Sequence, residues 1–209
     1  CDKILPVERR FECASVKLSE FASVRLPDLI GYYRNIFGNS RKMLVTEWNI
    51  EKPIQYGNTF LQAIYAADLM MNMLKANARG DIEFFVYHTH CEKWYGFSII
   101  RPKNQSELMT EPGAVFMRGS AYFPFLFMKE IFDEDVFLLD TDVASGGGNN
   151  SEMITGLAFM NRKSNRLYVY VLNRTGAKHS VRIVIKGGKF NVAEDARHRY
   201  ITTSALSAT

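Results

Sequence analysis

The chain has 209 residues, 47% hydrophobic and 13% aromatic, with 26 Lys and Arg against 22 Asp and Glu for a formal charge of +4. That is enough apolar material for a sizeable core and excludes general disorder. The basic residues fall in ones and twos such as Arg9-Arg10 and Arg41-Lys42, not in the single face a nucleic-acid partner needs, and no apolar run reaches the ~20 residues of a membrane span.

The chain opens at Cys1-Asp2-Lys3, without an initiator Met or the apolar core of a signal peptide, and reads as starting inside a precursor or longer polypeptide. Sequons at Asn104-Gln105-Ser106, Asn149-Asn150-Ser151 and Asn173-Arg174-Thr175 are compatible with glycosylation, so a secreted, extracellular protein is expected. Cys1, Cys13 and Cys91 form an odd set with two readings. Either Cys1 and Cys13 form a disulfide, with Cys91 buried or paired elsewhere, or all three are unpaired thiols. No Cys/His cluster has zinc spacing, and no metal or cofactor is expected.

In chain order, Leu26-Pro27-Asp28-Leu29-Ile30 with Tyr32, Tyr33, Ile36 and Phe37 has helical spacing that stops at Gly38, which predicts a helix from about Pro27 to Phe37. Lys42 to Ile50 is a short apolar run with a polar end, the pattern of a buried parallel strand that delivers its last residues to a pocket. Phe60, Ile64, Ala67, Met71 and Leu74 form a stripe widened by Leu61, Tyr65 and Leu69, predicting a long helix capped by Asn58 and ended by Gly80. Ile82 to His88 reads as a second strand, which completes a βαβ unit with neighbouring parallel strands.

A short strand from Trp94 to Ile100 and a helix from about Met117 to Phe132, kinked near Pro124, are expected next. From Val136 the pattern changes. Val136 to Leu139, Met153 to Met160, Leu167 to Asn173 and Val181 to Lys186 read as strands of an antiparallel β domain, with glycine- and asparagine-rich turns between them. The Leu167 to Asn173 strand is apolar on both faces and is expected to be central.

Glu47 stands out for chemistry. A carboxylate at the polar end of an apolar strand, beside Trp48, suits a sugar site in which an aromatic face packs on the ring and the carboxylate meets the anomeric carbon. The alternative reading pairs Glu47 with a nearby Arg or Lys and puts Trp48 in the core. No phosphate-binding glycine loop, Gly-x-Ser-x-Gly elbow or His-Glu-x-x-His motif is present.

Val45-Thr46-Glu47-Trp48-Asn49 resembles the strand-seven nucleophile motif of clan A glycoside hydrolases. Ala63-Ile64-Tyr65-Ala66-Ala67-Asp68 resembles the following helix in α-L-arabinofuranosidases and β-xylosidase-like families. The next strand, with Trp94-Tyr95-Gly96-Phe97, resembles strand eight and its extension, so the resemblance runs from Leu26 to the end. It implies an α/β plus all-β fold: residues 1–135 as the C-terminal part of a (β/α)8 TIM barrel and residues 136–209 as a β-sandwich.

The same resemblance implies a retaining glycoside hydrolase with Glu47 as nucleophile. Only Glu47 carries over from the motif; Trp48, Asn49, His88, His90 and Trp94 are expected to bind substrate from their place at the C-terminal barrel face, where active sites collect. For His88 and His90 the alternative is a pair of satisfied polar groups at a strand end. The Asn-Glu pair of strand four, which would supply the acid/base, and a strand-six His-x-Tyr have no place in the chain. The implied partners are therefore a carbohydrate substrate and the rest of its own barrel. The other functional reading is a catalytically inactive glycan-binding or structural extracellular protein on the same fold, and a third is an unrelated α/β enzyme with a chance Thr-Glu-Trp-Asn.

Overall fold

The computed structural model describes residues 13, 16–18, 20–50, 59–88, 98–103, 115–133, 135–144, 153–175, 178–186 and 200. A π-helical turn, Phe21–Arg25, runs into helix α1, Leu26–Phe37, which buries Leu26 and Ile30 and has Pro27 in its first turn. Proline is tolerated there because the first helical N–H groups have no intrahelical acceptor. Gly38 ends the helix at φ 80°, with its N–H on the Arg34 carbonyl at 2.8 Å.

Strand β1, Met43–Trp48, pairs in parallel with strand β2, Ile82–Tyr87. Helix α2, Phe60–Ala78, connects them, so the expected βαβ unit forms. Asn58 lies outside the described residues, and the cap is Thr59, whose hydroxyl accepts the Gln62 N–H at 3.3 Å. The helix buries far more than one stripe: Leu61, Ala63, Tyr65, Leu69, Met70 and Met73 are each at most 6% exposed. A helix apolar on nearly every side belongs inside a fold. Here the π turn, helix α3 (Tyr122–Asp133), strand β2 and strands of the C-terminal sheet all surround it.

Strands β3, Ile100–Pro102, and β4, Phe116–Arg118, form an antiparallel pair ahead of α3. This corrects the expected helix from Met117. Phe116 to Arg118 are drawn into a ladder by a distant partner, and the helix starts at Tyr122, so Pro124 falls in its first turn and no kink is needed. Trp94 to Phe97, the start of the expected strand before Ile100, lie outside the described residues.

The C-terminal sheet is antiparallel in the order β5–β6–β7, with β5 at Val136–Leu138, β6 at Ile154–Asn161 and β7 at Arg166–Asn173. The central strand is therefore β6, and β7 lies at an edge among the described residues; Leu157 of β6 is fully buried. The apolar residues that made β7 look central, Tyr168, Tyr170 and Leu172, pack on the core from one side, while Val169 and Val171 are 37% and 43% exposed. The expected strand Val181 to Lys186 does not form. Val181, Ile183 and Val184 are more than half exposed, and β-branched residues favour a strand only where a sheet surface receives them. Among the described residues no barrel closes.

One continuous core joins the two halves, with Trp48, Leu69, Met70, Ile82, Leu157 and Phe159 among its members. An ion pair also crosses between them: Arg174 Nη1 lies 2.8 Å from Asp68 Oδ1, with side chains 2% and 1% exposed. Thr155 Oγ1 accepts a second bond from Arg174 at 2.6 Å, and Asn72 donates to Asp68 Oδ1 at 3.2 Å.

Candidate functional site

Glu47 sits near the C-terminal end of β1, and the register of the strand decides where it points. Val45 pairs with Phe85 and Trp48 with Tyr87, so β1 advances three residues while β2 advances two. The extra residue is a β-bulge at Thr46 and Glu47, which re-aims side chains and breaks the alternation. Strict alternation from Val45, which packs on the core, would turn Glu47 toward α2 and Trp48 outward. The bulge reverses both. Glu47 is 74% exposed, and Trp48 is 7% exposed.

The Trp48 ring lies in an aromatic cluster, 4.8 Å from Tyr87 edge-to-face, 6.2 Å from Phe125 in a near-parallel stack and 6.4 Å from Phe85. Its Nε1–H is buried and has no hydrogen-bond partner among the described residues. The expected sugar platform beside Glu47 is thus a core residue on the other side of the strand. It helps to wall a cleft of about 860 Å³ with Phe85, Phe125, Val136 and Phe159, and neither Glu47 nor His88 lines that cleft.

His88 immediately follows β2. Its N–H donates to the Trp48 carbonyl at 3.1 Å, and its Nδ1 lies 4.0 Å from Glu47 Oε1 with the imidazole 41% exposed. The two parallel strands therefore deliver a carboxylate and an imidazole side by side at their C-terminal ends. Asn49 is half-buried behind them. Its Nδ2 donates to the His88 carbonyl, and its Oδ1 accepts from the Ile50 N–H at 2.6 Å, the Tyr87 hydroxyl at 3.2 Å and Gln62 Nε2 at 3.4 Å.

Gln62 and Tyr87 extend this network into the fold. Gln62 is 1% exposed, and its Oε1 accepts the Ser120 hydroxyl at 2.7 Å while its Nε2 also donates to the Tyr87 hydroxyl at 3.4 Å. Burial outweighs the hydrogen bond to Asn49 and raises the Tyr87 phenol well above the usual tyrosine range, so it is a standing donor. Gln62, Tyr87 and Ser120 were not legible as site residues in the sequence. The one local signal, Thr59-x-x-Gln62, is a capping-box pattern, but here the glutamine side chain turns to the strand ends.

The structure thus brings Glu47, His88 and Asn49 together and sends Trp48 elsewhere. His90, Trp94, Asn104 and Asn149 lie outside the described residues. Asn173 closes β7, and its Oδ1 accepts the Thr175 N–H at 2.9 Å and the Thr175 hydroxyl at 2.7 Å. Cys13 is disulfide-bonded, while Cys1 and Cys91 lie outside the described residues. Among the described residues no group of three His, Cys, Asp or Glu side chains could hold a metal ion, and no helix is long and apolar enough to cross a membrane. No protein-family model matches the chain, and no curated protein matches it.

Proposed function

We propose that this chain carries the nucleophile of a retaining glycoside hydrolase that acts on a polysaccharide or glycoconjugate, with Glu47 as that nucleophile. The observation that carries the reading is the bulge that turns Glu47 outward at the C-terminal end of a parallel strand in a βαβ unit, the end at which α/β folds collect their chemistry. In this reaction a Glu47 oxygen bonds to the anomeric carbon as the bond to the leaving group breaks. A second carboxyl group protonates the leaving oxygen, then takes a proton from the water that releases the sugar.

That second carboxyl group belongs to residues outside this chain. The face of β1 and β2 opposite α2 is open, with Leu44 55%, Phe84 45% and Val86 43% exposed, whereas parallel sheets are ordinarily covered on both faces. Under this reading the remaining strands of a (β/α)8 barrel cover it, and β5–β6–β7 belongs to an appended β-sandwich. The same reading makes the protein secreted, with Asn104, Asn149 and Asn173 as glycan acceptors.

The test is covalent trapping. A 2-deoxy-2-fluoro glycoside with a good leaving group should label the full-length protein at Glu47, and Glu47→Gln should lower turnover of aryl glycosides by on the order of 10⁴-fold. A label on another residue, or activity within tenfold of the parent, sinks the assignment. Glycan binding retained by a full-length protein that never turns over glycosides would favour the inactive, glycan-binding reading instead.

A further inference from the structure

We propose that Asn49 is a positioning residue that holds Glu47 and His88 together, not a sugar contact; this rests on the reading of Glu47 as the reacting carboxylate. The strand pair needs such a tie where it stands. The bulge at Thr46 and Glu47 disturbs the ladder just before the site, because an extra residue leaves backbone groups out of the regular pairing. After Trp48 the chain leaves the sheet. At the strand ends the His88 N–H bonds the Trp48 carbonyl, and beside that backbone rung a side chain makes another, Asn49 Nδ2 on the His88 carbonyl.

The other end of the carboxamide fixes its orientation. Asn49 Oδ1 is held by the Ile50 N–H, the Tyr87 hydroxyl and Gln62 Nε2, and Gln62 is itself held by Ser120 from the turn between β4 and α3. A chain of hydrogen bonds thus runs from that turn, through the first turn of α2, to the ends of both strands. Its members Gln62, Tyr87 and Ser120 are all at most 5% exposed, where a satisfied polar network is rigid and an incomplete one is costly. Glu47 and His88 are more exposed, and their 4.0 Å approach is set by the backbone register that Asn49 closes.

The experiment reads the register directly and uses the full-length protein. With cysteines introduced as Glu47→Cys and His88→Cys, the rate of disulfide formation reports how well the two strand ends are aligned, since the bond tolerates little misplacement. Asn49→Ala in that background should slow the crosslink by on the order of tenfold. Tyr87→Phe, which keeps the ring in the aromatic cluster and removes only the hydroxyl, should slow it by about threefold and guards against a variant that fails to fold. Equal rates in all three backgrounds overturn the proposal.

A kinetic readout separates positioning from contact. Asn49→Ala without the cysteines should lower kcat on an aryl glycoside by about 100-fold with KM within about threefold. A raised KM with kcat retained would make Asn49 a sugar contact and overturn the proposal. If the parent protein turns over no glycoside, the hydrolase reading fails, and the crosslinking rates alone decide whether Asn49 is the clamp.

Discussion

Asp68 carries a charge into the middle of the molecule, and its surroundings only partly compensate for that. Its Oδ1 receives Arg174 and Asn72, but its Oδ2 is buried with no hydrogen bond among the described residues. Burial therefore dominates over the charges of Arg174 and Lys75 and pushes the carboxyl from 3.8 up to about 6. A raised acid favours the folded state below its unfolded value, and that contribution is lost as pH rises through the folded value. The window is therefore about pH 4 to 6, and the shift corresponds to about 3 kcal/mol. Relative to Asp68→Asn, the parent protein should gain that stability as pH falls from 7 to 4 in denaturant titrations; parallel curves for the two proteins would contradict it. Asp68 was legible as a member of an Ala-Ala-Asp run, but its partner lies 106 positions away, and no local pattern points to it.

At the scale of the element, the strands and helices with strong local patterns were readable. α1, α2, β1 and β2 follow from hydrophobic spacing, and the two helices end near the expected glycines, Gly38 and Gly80. What escaped the sequence was set by distant partners. β4 is a strand because Ile100 to Pro102 pair with it, and the bulge in β1 exists only relative to β2, so the outward aim of Glu47 and the inward aim of Trp48 could not be read from β1 alone. Helix ends show the local side of this division. Gly80 stands at φ 80°, and a Cβ there would meet nothing within 4 Å, so a substitution acts through the backbone alone. Gly80→Ala should lower stability by about 1–2 kcal/mol in urea, and Gly80→Asn should recover part of that loss because asparagine tolerates the left-handed region. No difference between alanine and asparagine would point away from backbone strain.

At the scale of the whole molecule, the open face of β1 and β2 dominates the behaviour expected of these 209 residues by themselves. Leu44, Phe84 and Val86 are exposed together on a parallel sheet that has two strands among the described residues, a unit that is rarely stable without further cover. The chain expressed alone should bind a hydrophobic dye and self-associate in sedimentation runs, and Leu44→Lys with Val86→Lys should reduce both. A chain that stays monomeric and binds no dye would mean that this face is not open in solution.

The crossing of Arg174 onto Asp68 also bears on how this protein could be taken apart. The change from α/β to all-β pattern at residue 136 invites a cut there, and a truncated chain ending at Asp135 would keep α2 whole. It would also leave Asp68 without the guanidinium that answers it, and removing one member of a buried ion pair typically destabilises by about 3–5 kcal/mol. The boundary visible in the sequence is therefore not a line of independence. In grafting or shuffling experiments, α2 and the end of β7 have to travel as one cassette.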